Sequence, residues 1–148
     1  YEIDGCSAPV PFFTLETIAH MFQKLALGEK IELKRVFNAM VSHPLLVGGT
    51  DNFDSSFIQA LGGRGITKVG GESVRGISIR TKKYGPIGIA MKVLDGNFRV
   101  LPIATMKLLD HLEILEEEEQ KQLSHYSTKI LKNHNNLDVG KIEAYIDF

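Results

Sequence analysis

Gly76-Ile77-Ser78-Ile79-Arg80-Thr81-Lys82-Lys83-Tyr84-Gly85-Pro86-Ile87-Gly88-Ile89-Ala90-Met91-Lys92-Val93 is the stretch whose reading decides the fold. Successive side chains of a strand point to opposite faces. Ile77 and Ile79 therefore share one face and Gly76 and Ser78 the other. Past Lys82-Lys83-Tyr84-Gly85 the alternation resumes, with Ile87, Ile89, Met91 and Val93 opposite Gly88 and Ala90. The pattern predicts an antiparallel hairpin with one bulky face and one face of small side chains. Small residues on a sheet let a helix or a substrate come close to the backbone.

Helical spacing flanks the hairpin. Thr14 precedes Leu15, Ile18, Ala19, Phe22, Leu25 and Ala26, and Gly28 supplies a stop, so residues 14 to 27 read as an amphipathic helix. Leu33, Val36, Phe37 and Met40 share a face of a second helix near 30 to 42, which ends at His43 because Pro44 disfavours the helical conformation in its predecessor. Asp54 is placed to cap a short helix carrying Phe57, Ile58 and Leu61. After the turn Asp95-Gly96-Asn97, the apolar positions Val100, Ile103, Ala104, Met106, Leu108 and Leu112 predict a helix over 99 to 115, with Pro102 in its first turn. The acidic run Glu116 to Glu119 reads as a solvated face or the start of a further helix, continuing through 120 to 126. Ile130 and the segment Lys141 to Phe148 read as closing strands around an Asn133-to-Asp138 turn. The expected class is α+β, an antiparallel sheet packed with helices.

With 148 residues and 43% apolar content the chain has the size of one domain. Its 17 basic and 18 acidic residues give a net charge of −1, which supplies no field to attract nucleic acid or an anionic membrane, and the absence of tryptophan leaves little for base stacking. No apolar run approaches the ~20 residues that span a bilayer. A single cysteine forms no internal disulfide, so a reducing cytoplasm is the expected location.

Two segments carry chemistry-bearing groups in rigid or glycine-rich settings. In Thr67-Lys68-Val69-Gly70-Gly71-Glu72, the glycine pair would let a ligand lie against the strand edge beside Lys68. That lysine reads either as a solvent-facing strand residue, or as a cation for a carboxylate, or as a general base toward a serine. Glu72 could orient Lys68, meet a substrate ammonium, or be a surface acid. Arg75 and Arg80 face solvent or pair with acids. In Asp4-Gly5-Cys6-Ser7-Ala8-Pro9, Cys6 reads as a free thiol or as one ligand of a zinc ion, for which no CxxC or HExxH motif supplies the remaining donors. Asp4 is a turn residue or a support for that site. A nucleophilic Cys6 or Ser7 with a histidine base is a weaker reading, since no histidine has a spacing that marks it as a partner.

The order of these motifs, taken with His43-Pro44, Gly49-Thr50, Phe53-Asp54 and the strand Gly85-Pro86-Ile87-Gly88-Ile89-Ala90-Met91-Lys92 ending in Asp95-Gly96, resembles the C-terminal half of the asparaginase II family. These are serine-lysine amidohydrolases whose fold is similar to serine beta-lactamases and penicillin-binding proteins. The resemblance spans Ile3 to about Ile146. It implies hydrolysis of L-asparagine to L-aspartate and ammonia, with Lys68 as the lysine paired with the second catalytic serine. It also implies Asp4, Gly70, Gly71 and Glu72 at the substrate, Cys6 as a zinc ligand whose protein partners, a cysteine and a lysine, lie outside the chain, and a homodimer. The Lys-Thr-Gly strand of beta-lactamases appears here as Lys68-Val69-Gly70, without the middle hydroxyl. The family's Ser-Ser-x-Lys-Pro and Asn-Cys-Ser-Gly-Lys-His segments do not occur in the sequence, so residues 1 to 148 are expected to form the C-terminal portion of a single domain whose N-terminal half is missing, inactive alone. A related hydrolase of lactams or peptides, and a non-catalytic module binding a partner through the small-residue sheet face, are the alternatives.

Overall fold

The computed structural model describes residues 1–147, which form an α+β chain. In order these are β1 (Glu2–Ile3), β2 (Pro9–Val10), α1 (Leu15–Leu27), α2 (Ile31–Ser42), α3 (Pro44–Gly48), α4 (Phe53–Ala60), β3 (Gly65–Gly70), β4 (Val74–Thr81), β5 (Gly85–Lys92), α5 (Leu101–His111), α6 (Glu117–Leu123), β6 (Lys129–Lys132) and β7 (Asp138–Ile142). β3, β4 and β5 make an antiparallel sheet in that order, while β1–β2 and β6–β7 are separate two-stranded hairpins.

Local signals set most boundaries. The Thr14 hydroxyl accepts from Thr17 N–H at 3.1 Å, and Gly28 closes α1 at φ 63° with its N–H on Lys24 O. A Thr14→Ala substitution removes that cap and should cost about 1 kcal/mol of stability, read as a lowered urea midpoint with an unchanged slope. α2 stops at Ser42 with His43 as its cap, but Pro44 immediately opens α3. Proline suits the first helical position because its missing N–H would have no partner there. α4 starts after Asn52, so Asp54 is not the expected cap; it lies in the first turn, fully buried.

The helix expected over 99 to 115 is a 3₁₀ turn, Phe98–Val100, followed by α5, with Pro102 in the first turn of α5. The acidic run does begin a helix: the Glu116 and Glu119 side chains form a reciprocal capping box at the start of α6. Glu119 also turns inward to meet Arg64, whose Nη1 donates to Arg80 O at 2.8 Å. The closing strand falls earlier than expected, because pairing with β6 sets Ile142 opposite Lys129 and Asp138 opposite Lys132. Phe148, the end of that expected strand, lies outside the described residues.

Both faces of the sheet are covered. Ile77 and Ile79 are fully buried against Phe53 and Phe57 from α4, Leu61 that caps its end, Met106 and Leu109 from α5, and Leu123 of α6. Each such side chain contributes roughly 1.5–3 kcal/mol on leaving water. On the small-residue face, α1 lies so close that a Cβ on Gly88 would stand 1.9 Å from Ala19 O, and one on Gly76 2.0 Å from the Phe22 ring. That closeness corrects the expectation of a partner docking on the face of Gly76 and Gly88: the chain's own first helix occupies it.

Candidate functional site

Odd-numbered positions of β4 point toward the bulky face, which places Arg75 in line with Ile77 and Ile79. A buried cation there needs an acid. The first turn of α4 supplies it: Asp54 Oδ1 accepts from Arg75 Nη1 at 2.6 Å, while Asp54 Oδ2 accepts the backbone N–H of Val69 at 2.8 Å. Arg75 Nη1 also reaches Thr67 Oγ1 at 3.1 Å, and the guanidinium lies 4.2 Å from the centroid of the Phe53 ring. Burial pushes the Arg75 guanidinium below its usual range, and the charge of Asp54 and its hydrogen bond oppose this.

Lys68 approaches the same carboxylate from the next position of β3. Its Nζ stands 4.0 Å from Asp54 Oδ2 and donates to Val69 O at 3.0 Å, and its side chain is 48% exposed. Asp54 is thus shared between a buried arginine and a half-exposed lysine, and the trio carries one net positive charge. A Cβ on Gly71 would meet nothing within 4 Å, so the ground past the lysine is open. At Val69, by contrast, the strand amide that a substrate could have used already binds Asp54.

The remaining expected site residues fall into other groupings. Glu72 adopts φ 52° and Ser73 φ 57°, left-handed values uncommon outside glycine. Lys92 Nζ donates to Glu72 O and lies 3.8 Å from the Glu72 carboxylate, so Glu72 is tied to β5 and not to Lys68. Asp4 holds its own loop. Its Oδ1 accepts from the thiol of Cys6 at 2.9 Å and from the N–H groups of Cys6 and Ala8 at 2.9 and 3.0 Å. These bonds, the thiol's foremost, hold the exposed Asp4 carboxyl below the usual range. No hydrogen bond or ion pair joins the Asp4–Cys6 loop to the Lys68 cluster among the described residues. Nor do those residues contain a group of three or more histidines, cysteines or acids able to hold a metal, so the chain's own donors do not make up a zinc site at Cys6.

Sequence reasoning allowed Arg75 an acid partner, which Asp54 is, but placed neither residue in the site. Strand alternation held the signal, since a charged residue in phase with Ile77 and Ile79 must be paired. A cleft of about 440 Å³ opens beside the pair, bounded by Asn52, Phe53, Val69, Arg75, Phe98 and Tyr126 among others. A slightly larger cavity, about 460 Å³, lies between α5, α6 and the chain following β7, and none of the expected site residues lines it.

The sequence of residues 1–144 matches the family model described as L-asparaginase II. No curated protein matches the chain. The match covers nearly all of the chain, sheet, Lys68 strand and Asp4–Cys6 loop included, and the chain belongs to the L-asparaginase II family.

Proposed function

We propose that this chain supplies the lysine-bearing part of an amidohydrolase that converts L-asparagine and water to L-aspartate and ammonia. The reading rests on membership in the L-asparaginase II family together with one observation: Lys68 leaves a buried carboxylate–arginine pair to stand half-exposed on the strand that leads to the open Gly71. In this reading a serine hydroxyl attacks the side-chain amide carbon, Lys68 exchanges a proton with the second catalytic serine beside it, nitrogen leaves as ammonia, and water cleaves the acyl ester. The family's Ser-Ser-x-Lys-Pro segment, absent from this sequence, would carry the serine, so turnover requires it. Gly70 and Gly71 admit the substrate, and Asp4 and Glu72 are the acids for its ammonium group. Zinc on Cys6, completed by donors from outside the chain, a homodimer and a cytoplasmic location belong to the same proposal.

Lys68→Ala in the full-length protein should lower ammonia release from L-asparagine by at least ~10²-fold, the scale on which a proton-transferring side chain acts. Its urea midpoint should stay near that of the parent, because the side chain is half-exposed. Undiminished release would remove Lys68 from the reaction. Running L-glutamine and a chromogenic lactam beside L-asparagine distinguishes the amidase from a lactam- or peptide-directed relative.

A further inference from the structure

Arg75 has hydrogen-bonding capacity that nothing in the fold uses. Its side chain is only 3% exposed, Nη1 serves both Asp54 and Thr67, and Nε is buried without a partner among the described residues. Buried arginine donors are ordinarily satisfied, because each one stripped of water and left unpaired costs free energy. Arg75 is among the residues that line the 440 Å³ cleft. Asn52, on the cleft wall, caps α4 without engaging its side chain in a cap bond, which leaves its amide for other contacts. Asp51 lies in the same lining.

Charge points the same way. Asp54 neutralises one of its two cationic neighbours, and the excess positive charge of the Lys68–Asp54–Arg75 trio is what a single carboxylate would cancel. Burial disfavours the charged form of Arg75, and an anion arriving in the cleft would offset that cost.

We infer that the cleft is a carboxylate subsite in which Arg75, assisted by Asn52, binds the α-carboxylate of a small amino acid. The inference deepens the amidase reading and rests on it for the identity of the ligand as L-asparagine or L-aspartate. It makes Arg75 a substrate-binding residue.

The test follows the arginine Nε–Hε resonances of the ¹⁵N-labelled full-length protein during titration with L-aspartate, the Arg75 signal being the one lost in Arg75→Lys. Saturable movement of that signal with L-aspartate, and none with L-asparaginol, which lacks the carboxylate, is expected. Arg75→Lys keeps a cation for Asp54 but lacks the forked donor, and should raise KM for L-asparagine about tenfold or more with little change in kcat. Pro102→Trp leaves the arginine untouched, fills the cleft that Pro102 also lines, and should abolish the shift. A stationary Arg75 signal at saturating L-aspartate, or equal movement with L-asparaginol, overturns the subsite. Turnover that depends on Lys68 while the Arg75 signal stays fixed sinks the subsite alone, and a moving signal in a protein without amidase activity sinks the amidase reading alone.

Discussion

Gly88→Ala should destabilise the protein by about 3 kcal/mol or more, the upper range for forcing atoms into a packed interior. The methyl group would stand 1.9 Å from Ala19 O and 2.3 Å from Gln23 N. Those two atoms are four residues apart on α1, the spacing of one helical hydrogen bond, so the added carbon wedges into the helix backbone. No side-chain rotation relieves such a contact. The helix must move away by more than an ångström, giving up dispersion contacts along its whole buried face. Gly76→Ala is the informative comparison. The three atoms nearest its Cβ all belong to the Phe22 ring, the first at 2.0 Å, and a ring at the end of a flexible side chain can shift. A smaller loss, of order 1–2 kcal/mol, is expected there. Urea unfolding of both variants measures the difference. Equal and small losses would show that α1 is not seated on Gly88.

The same two glycines show how much was legible in the sequence. The small-residue face was readable from alternation, and so was its need for a close neighbour, but alternation does not say which neighbour comes. α1 settled onto it because the helix carries Ala19 where its backbone must touch the strand. Helix ends were legible wherever a residue acts on its own backbone, as Thr14 and Gly28 do for α1. Pro44 ended α2 where expected but gave no sign of α3, because proline stops one helix and starts another with the same missing N–H and the same fixed φ. Asp54 misled for a related reason: an acid near a helix start reads as a cap, and only the approach of β3 and β4 turns it inward to Arg75 and Val69. The Lys68 strand and the Asp4–Cys6 loop could be singled out by residue type. Their separation into two clusters arises from contacts distant in sequence, which local spacing does not encode.

Asp54→Ala should cost about 3–5 kcal/mol, because breaking a buried ion pair leaves its partner charged and unsolvated. The Asp54 carboxylate is wholly buried, and three groups from two strands converge on it: Arg75 of β4 at 2.6 Å, the Val69 amide of β3 at 2.8 Å, and Lys68 of β3 at 4.0 Å. Alanine abandons the arginine beneath Phe53 and strips the Val69 N–H of its acceptor, itself worth about 1–3 kcal/mol when buried. Domain stabilities are of order 5–15 kcal/mol, so the variant would sit near its unfolding limit. Arg75→Met should cost a similar amount by leaving the carboxylate alone with the more distant lysine. Removing both partners restores charge balance, so Asp54→Ala/Arg75→Met should lose at least ~2 kcal/mol less than the sum of the single losses. A double-mutant cycle in urea reads that coupling, and simple additivity would mean that the two side chains do not share a buried bond. In the proposed amidase Lys68 connects this cycle to catalysis: with Asp54 gone, Nζ keeps only the Val69 carbonyl as an anchor among the described residues. Ammonia release by the folded fraction of Asp54→Ala should therefore fall as well, whereas a pair that served stability alone would leave the activity per folded molecule unchanged.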